Sequence, residues 1–109
     1  NALIPWLDGV PAGFALFFPT FSTFLAKRGM WLEDLFVRPE SRGRGVGKAL
    51  ITAVAHAAHA QGCGRFEWSV LDWNENAIAF YRALGARPMD EWIIQRLTGE
   101  SLKRLADQP

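Results

Sequence analysis

The spacing of apolar and polar positions changes several times along the chain, and each change predicts an element. In ALIPWLDGVPAGFALFF, residues 2–18, β-forming residues lie on both sides of Asp8-Gly9, a dipeptide suited to a tight hairpin, so strand, turn and strand are expected. Pro5 and Pro11 cannot donate to a ladder and push these stretches toward a sheet edge. From Pro19 to Gly29 small and polar residues predict a loop, with Phe21 and Phe24 in it and expected to be buried beneath it. Trp31 to Val37, WLEDLFV, is apolar apart from Glu33-Asp34 and predicts a central strand, ended by Arg38-Pro39.

From Gly45 to Gln61 the spacing turns helical. Val46, Leu50, Ala53, Val54 and Ala57 fall on one arc, Lys48, Thr52 and His59 on the other, and Gly62 stands where a helix-ending glycine would. In RFEWSVL, residues 65–71, Phe66, Trp68 and Val70 alternate with Glu67 and Ser69, the period of a strand. Asp72-Trp73-Asn74 opens a second helix over about Glu75 to Leu84, closed by Gly85, with Phe80 on its core side. A strand from Trp92 to Leu97 and a short helix from Thr98 to Ala106 complete the chain. The order β-β-β-α-β-α-β-α implies a sheet with helices packed on it, an α/β or α+β layer fold.

At 109 residues the chain is expected to form a single domain, 1–109, and 50% hydrophobic with 21% charged residues is the composition of a packed core. No apolar run reaches the ~18–20 residues of a membrane span. A net charge of +1 gives no global field for a nucleic-acid backbone, so neither nucleic acid nor membrane is an expected partner. One cysteine, Cys63, cannot close an internal disulfide, and with two histidines it is too few for a zinc cage; a reducing, cytoplasmic setting and no metal are expected. The chain opens on Asn1 with no visible signal peptide, which suggests a processed or truncated start.

The chemistry concentrates in VRPESRGRGVGKAL, residues 37–50, where an apolar strand enters a glycine-rich basic turn and then an amphipathic helix. Free N–H groups and the positive dipole end at a helix start attract anions, and Arg42, Arg44 and Lys48 add charge. A phosphate-binding P-loop would need Gly at position 42 and Ser or Thr at 49, which hold Arg and Ala. A dinucleotide fingerprint starting at Gly43 would need Gly at position 48, which holds Lys. A plain tight turn with solvated arginines is the remaining structural alternative.

What the residues spell is Arg42-x-x-Gly45-x-Gly47, which resembles the acetyl-CoA loop of the GNAT superfamily of N-acetyltransferases. LEDLFVRPESRGRGVGKAL and EWSVLDWNENAIAFYRALGA extend the resemblance to the diamine and thialysine, spermidine/spermine-like, branch. The resemblance implies a mixed, mostly antiparallel sheet with splayed central strands and flanking helices, here without the family's usual first strand and two helices. It implies acetyl-CoA as co-substrate. The coenzyme's diphosphate would lie on the amides of Arg44, Gly45, Val46, Gly47 and Lys48 beside Arg42. Its pantetheine arm would enter between strands 31–37 and 65–71, along Leu35, Phe36 and Val37, and an amide such as that of Leu35 or Phe36 would polarise the thioester carbonyl.

By the same resemblance Tyr81, the only tyrosine, matches the general acid that protonates the departing thiolate; packing on the sheet is the alternative. Asn74 matches a coenzyme A contact and equally suits a helix N-cap. Glu33 would accept the amine's proton, directly or through water, and Asp34 would shape an acidic acceptor pocket, unless one or both form structural ion pairs. Alternation predicts opposite faces for these two neighbours. In FPTFSTF, residues 18–24, Ser22 stands where the polyamine enzymes carry an Asp, which turns the expected acceptor toward a smaller diamine, a lysine-like amine or another primary amine; Ser22 and Phe24 are candidate substrate contacts.

The absent front helices and an uncovered sheet edge point to a fragment or to a partner chain, and a homodimer is expected. His56 and His59 read as surface residues, Cys63 as small and buried, and the five tryptophans as mostly core or interface mass, with Trp68 and Trp73 nearest the cleft. The expected function is direct acetyl transfer from acetyl-CoA to a primary amine of a small molecule. The alternative is a coenzyme A-binding or regulatory module without catalysis.

Overall fold

The computed structural model describes residues 1–22 and 27–109, which fall into two compact units, 1–69 and 70–109. Phe24 therefore lies outside the described residues. In the first unit Trp6–Leu7 (β2) and Val10–Pro11 (β3) pair across Asp8-Gly9, whose φ angles of 53° and 80° are both positive, as a two-residue hairpin turn requires. The main sheet has the order β1-β4-β5-β6, formed by Ala2–Leu3 (β1), Gly13–Ser22 (β4), Lys27–Val37 (β5) and Arg65–Glu67 (β6). β1 and β5 run antiparallel to β4, and β6 runs parallel to β5.

The expected loop at 19–29 is corrected by this ladder. β4 continues to Ser22 and β5 starts at Lys27, with Phe21 paired to Arg28 and 63% exposed. Polar and small residues there sit on long strands whose backbone bonds come from each other, so side-chain character was a poor guide.

Helix α1, Val46–Ala60, packs on β4, β5 and β6. It buries Val46, Leu50, Ile51, Val54 and Ala58 against Ala15, Phe17, Met30 and Leu32; Ile51 and Ala58 are buried where Ala53 and Ala57 were expected. Met30 and Val54 are fully buried, each worth about 1.5–3 kcal/mol relative to exposure. The helix ends in a Schellman motif: Cys63 N donates to Ala58 O and Gly62 N to His59 O, with Gly62 at φ 74°.

In the second unit α2, Glu75–Ala83, ends the same way, with Ala86 N on Tyr81 O, Gly85 N on Arg82 O and Gly85 at φ 98°. Helix α3 spans Gly99–Ala106. No residue from 70 to 109 is buried. Phe80 is 36% exposed, against its expected core position, and none of the five tryptophans is buried; Trp6, Trp73 and Trp92 are exposed. The strand expected at 92–97 is absent: the segment has no strand partner among the described residues, and Trp92, Ile93 and Ile94 stand in solvent. An apolar run becomes a strand only where an edge accepts its hydrogen bonds. The arrangement is of the α/β class, a mixed, mostly antiparallel sheet with helices.

Candidate functional site

β5 and β6 pair only at Gly29–Arg65, Met30–Phe66 and Trp31–Glu67. β6 ends at Glu67, and 68–71, expected to be strand, is irregular. β5 continues for six residues beyond its last pairing. Leu32 to Val37 therefore presents an edge with no strand on the β6 side among the described residues. On its other side it is held by β4 through Leu35–Ala15, Phe36–Phe14 and Val37–Gly13. Backbone N–H and C=O groups along a freed edge are strong hydrogen-bonding groups that a bound chain can use.

Within this stretch the ladder slips. Phe17 faces Leu32 but Leu16 faces Asp34, so Glu33 is the extra residue of a β-bulge. Leu32 shares the buried face with Phe17, while Asp34 shares the exposed face with Leu16. Residues two apart thus change face, and the simple alternation expected for Glu33 and Asp34 does not hold. Both carboxylates are exposed, and neither has an ion pair among the described residues. Trp31 Nε1 donates a long hydrogen bond, 3.5 Å, to Glu33 Oε1.

At its far end β5 enters a 3-10 turn at Pro39–Ser41 and then the basic loop. Gly43 and Gly45 have φ of 80° and 79°, a backbone region that costs other residues about 1–2 kcal/mol. Gly45 is the N-cap of α1, and no side chain caps the helix. Among the described residues no acceptor is recorded for the N–H groups from Gly43 to Lys48, while Ala49 N is the first to turn back, to Gly45 O at 3.0 Å. A run of free donors at a positive helix end is an anion-binding arrangement. Gly47 has ordinary room, since a Cβ there would lie 3.7 Å from Val37 Cγ2.

The loop's arginines are partly committed. Arg42 Nε donates to Val37 O at 3.2 Å, tying loop to strand, and Arg44 Nη1 pairs with Asp8 Oδ2 at 3.1 Å. Lys48 is exposed and has no recorded partner among the described residues. The sequence reading missed Asp8 as a partner of the loop. It also missed Gly13: a Cβ there would collide with the carbonyl of Phe36 and crowd Val37, so β4 reaches the end of β5 only as glycine. The Asp8-Gly9 turn was readable, but its pairing across 36 positions was not.

In the second unit, Asn74 caps α2, its Oδ1 accepting from Ala77 N at 3.2 Å. Tyr81 is half-buried on α2 with its ring 5.5 Å from that of Phe80, and burial raises its phenol above the ordinary 10.0. At neutral pH it holds its proton.

The Acetyltransferase (GNAT) family model matches residues 2–86. The L-ornithine N5-acetyltransferase NATA1 of Arabidopsis thaliana is 52% identical over 98 residues, 90% of this chain and 43% of that protein. A thialysine N-epsilon-acetyltransferase of Sus scrofa is 41% identical over 97 residues, 86% of this chain and 56% of that one. The chain spans about half the length of these curated relatives. Among solved structures, an integron cassette protein from the mobile metagenome of V. cholerae matches with a TM-score of 0.91 and 29% identity, over 98% of this chain and 66% of that one. Parted strands, a glycine-bounded loop of free amides and a family match across most of its length agree: the chain belongs to the GNAT acetyltransferase family.

Proposed function

We propose that the protein is an N-acetyltransferase that moves an acetyl group from acetyl-CoA to a primary amine of a small molecule by direct attack. The observation that carries this reading is the edge Leu32–Val37, freed by the early end of β6 and running into the free amides of Gly43–Lys48. This donor set fits a diphosphate followed by an amide-bearing arm. When bound, acetyl-CoA supplies the activated acetyl group as a thioester.

In this reading the amides of Arg44, Gly45, Val46, Gly47 and Lys48, with Arg42 beside them, hold the diphosphate. The Leu35, Phe36 and Val37 backbone holds the arm, and the amide of Leu35 or Phe36 polarises the carbonyl. An alkyl ammonium with a pKa near ~10.4 must lose a proton to attack, and exposed Glu33 takes it through water. Asp34 draws the cationic acceptor, with Ser22 and Phe24 as further contacts. Tyr81, kept protonated by its partial burial, donates to the leaving thiolate. Asn74 spends Oδ1 on its cap, which leaves its Nδ2 donors for the coenzyme.

The family match, which crosses residue 69 and covers residues 2–86, supports reading 1–109 as one acetyltransferase-like domain. The acceptor is an ornithine-like or thialysine-like amine, since proteins with those activities are among the similar ones. The exposed apolar side chains at Trp92, Ile93 and Ile94 support a homodimer, and the single cysteine supports a cytoplasmic setting. No described helix is long and apolar enough to cross a membrane.

The test is acetyl-CoA with a panel of ornithine, thialysine and short diamines, reading free thiol. Amine-dependent thiol release is expected. Coenzyme A binding with no release for any amine would instead make the chain a non-catalytic coenzyme A module.

A further inference from the structure

The anion loop is poorly held by its own packing. A Cβ at Gly43 or Gly45 would meet nothing within 4 Å, the helix start has no side-chain cap, and both glycines have wide backbone freedom. Two side-chain tethers hold it instead. Arg42 reaches back to Val37 O on one flank, and on the other Arg44, between the two glycines, reaches Asp8.

Asp8 is itself tied to the sheet through its hairpin. It lies in the two-residue turn joining β2 and β3, and this hairpin is anchored to the sheet by Ala12 N on Pro5 O, Arg38 N on Ala12 O, and Arg38 Nη1 on Pro11 O. An aspartate tolerates the positive φ of that turn, and its carboxylate then projects a fixed negative charge toward a loop whose other formal charges are cationic.

Resting on the coenzyme-binding reading above, we propose that Asp8 is a positioning residue: through Arg44 it fixes the Gly43–Gly45 backbone so that the loop's free amides are preorganised for a diphosphate. Arg44 serves the site mainly through its amide, with its guanidinium turned to the hairpin. Both side chains are well exposed, so the pair adds little to global stability. Its effect falls on the ordering cost that the ligand would otherwise meet.

The experiment compares the wild-type chain with Asp8→Asn, Arg44→Gln and the double variant. Calorimetry measures affinity for coenzyme A and for pantetheine, which lacks the diphosphate. Backbone ¹⁵N order parameters at Gly43 and Gly45 are measured without ligand. Each single variant should weaken coenzyme A binding roughly three- to fivefold, the size expected for one exposed ion pair, and the double should be no weaker than either. For Asp8→Asn, pantetheine affinity should not change and the KM for acetyl-CoA should rise with kcat held; in each variant the order parameters should fall. Asp8→Glu should restore part of the loss.

Unchanged or tighter coenzyme A binding by Asp8→Asn would overturn the proposal, as would additive losses in the double variant. A wild-type chain that binds no coenzyme A overturns the functional reading separately. In that case the order parameters still decide whether Asp8 holds the loop: unchanged values reject the tether, and lowered values uphold it.

Discussion

Two glycines in the basic loop look interchangeable in the sequence and are not. Gly45 sits at φ 79°, where a Cβ is strained, while Gly47 lies in the first turn of α1 with ordinary room. Gly45→Ala should therefore cost about 1–2 kcal/mol of local strain and weaken coenzyme A binding about tenfold, read by calorimetry. Gly47→Ala should raise thermal stability by up to about 1 kcal/mol, because alanine is the better helix former. Tyr81→Phe should lower kcat by roughly 10²–10⁴-fold with coenzyme A affinity retained, as for loss of a general acid. Burial raises the Tyr81 phenol, so the protonated form persists through neutral pH and is lost only above the ordinary 10.0. The wild-type pH profile should show no alkaline limb from Tyr81 below that range. A limb at lower pH that disappears in Tyr81→Phe would keep Tyr81 as the acid but contradict the raised phenol.

At the scale of elements, Gly13 and the bulge set where β5 ends and hence where the loop begins. Gly13→Ala would drive a Cβ into the Phe36 carbonyl, so it should destabilise the fold by several kcal/mol, about the cost of a forced backbone shift, visible in denaturant melts. What was legible in the sequence was local. Asp8-Gly9 announced a hairpin, Gly62 and Gly85 announced two helix ends, and the spacing from Gly45 to Gln61 announced α1, because each signal is written in consecutive residues. What was not legible depended on partners far along the chain. The extension of β4 to Ser22, the slip at Glu33 and the early end of β6 all follow from how strands pair. The same applies to Trp92–Leu97, whose apolar run reads as a strand but finds no edge among the described residues. The loop motif was readable as an anion site, yet the Asp8–Arg44 pair was invisible because 36 positions separate its members.

At the scale of the whole molecule, the buried core is confined to the first unit, and the second exposes Trp92, Ile93, Ile94, Leu97, Leu102 and Leu105. Exposed apolar residues in such number favour association, so light scattering at micromolar concentration should give twice the mass of one chain. A mass equal to one chain would remove the dimer. Coenzyme A binding along the parted strands and the loop leading into α1 underlies the whole proposed function. Its most direct test is a titration of the ¹⁵N-labelled protein with coenzyme A, followed by backbone amide shifts. The largest shifts should fall on Leu35–Val37 and Gly43–Lys48. Shifts absent from both stretches, or confined to residues elsewhere, would contradict it.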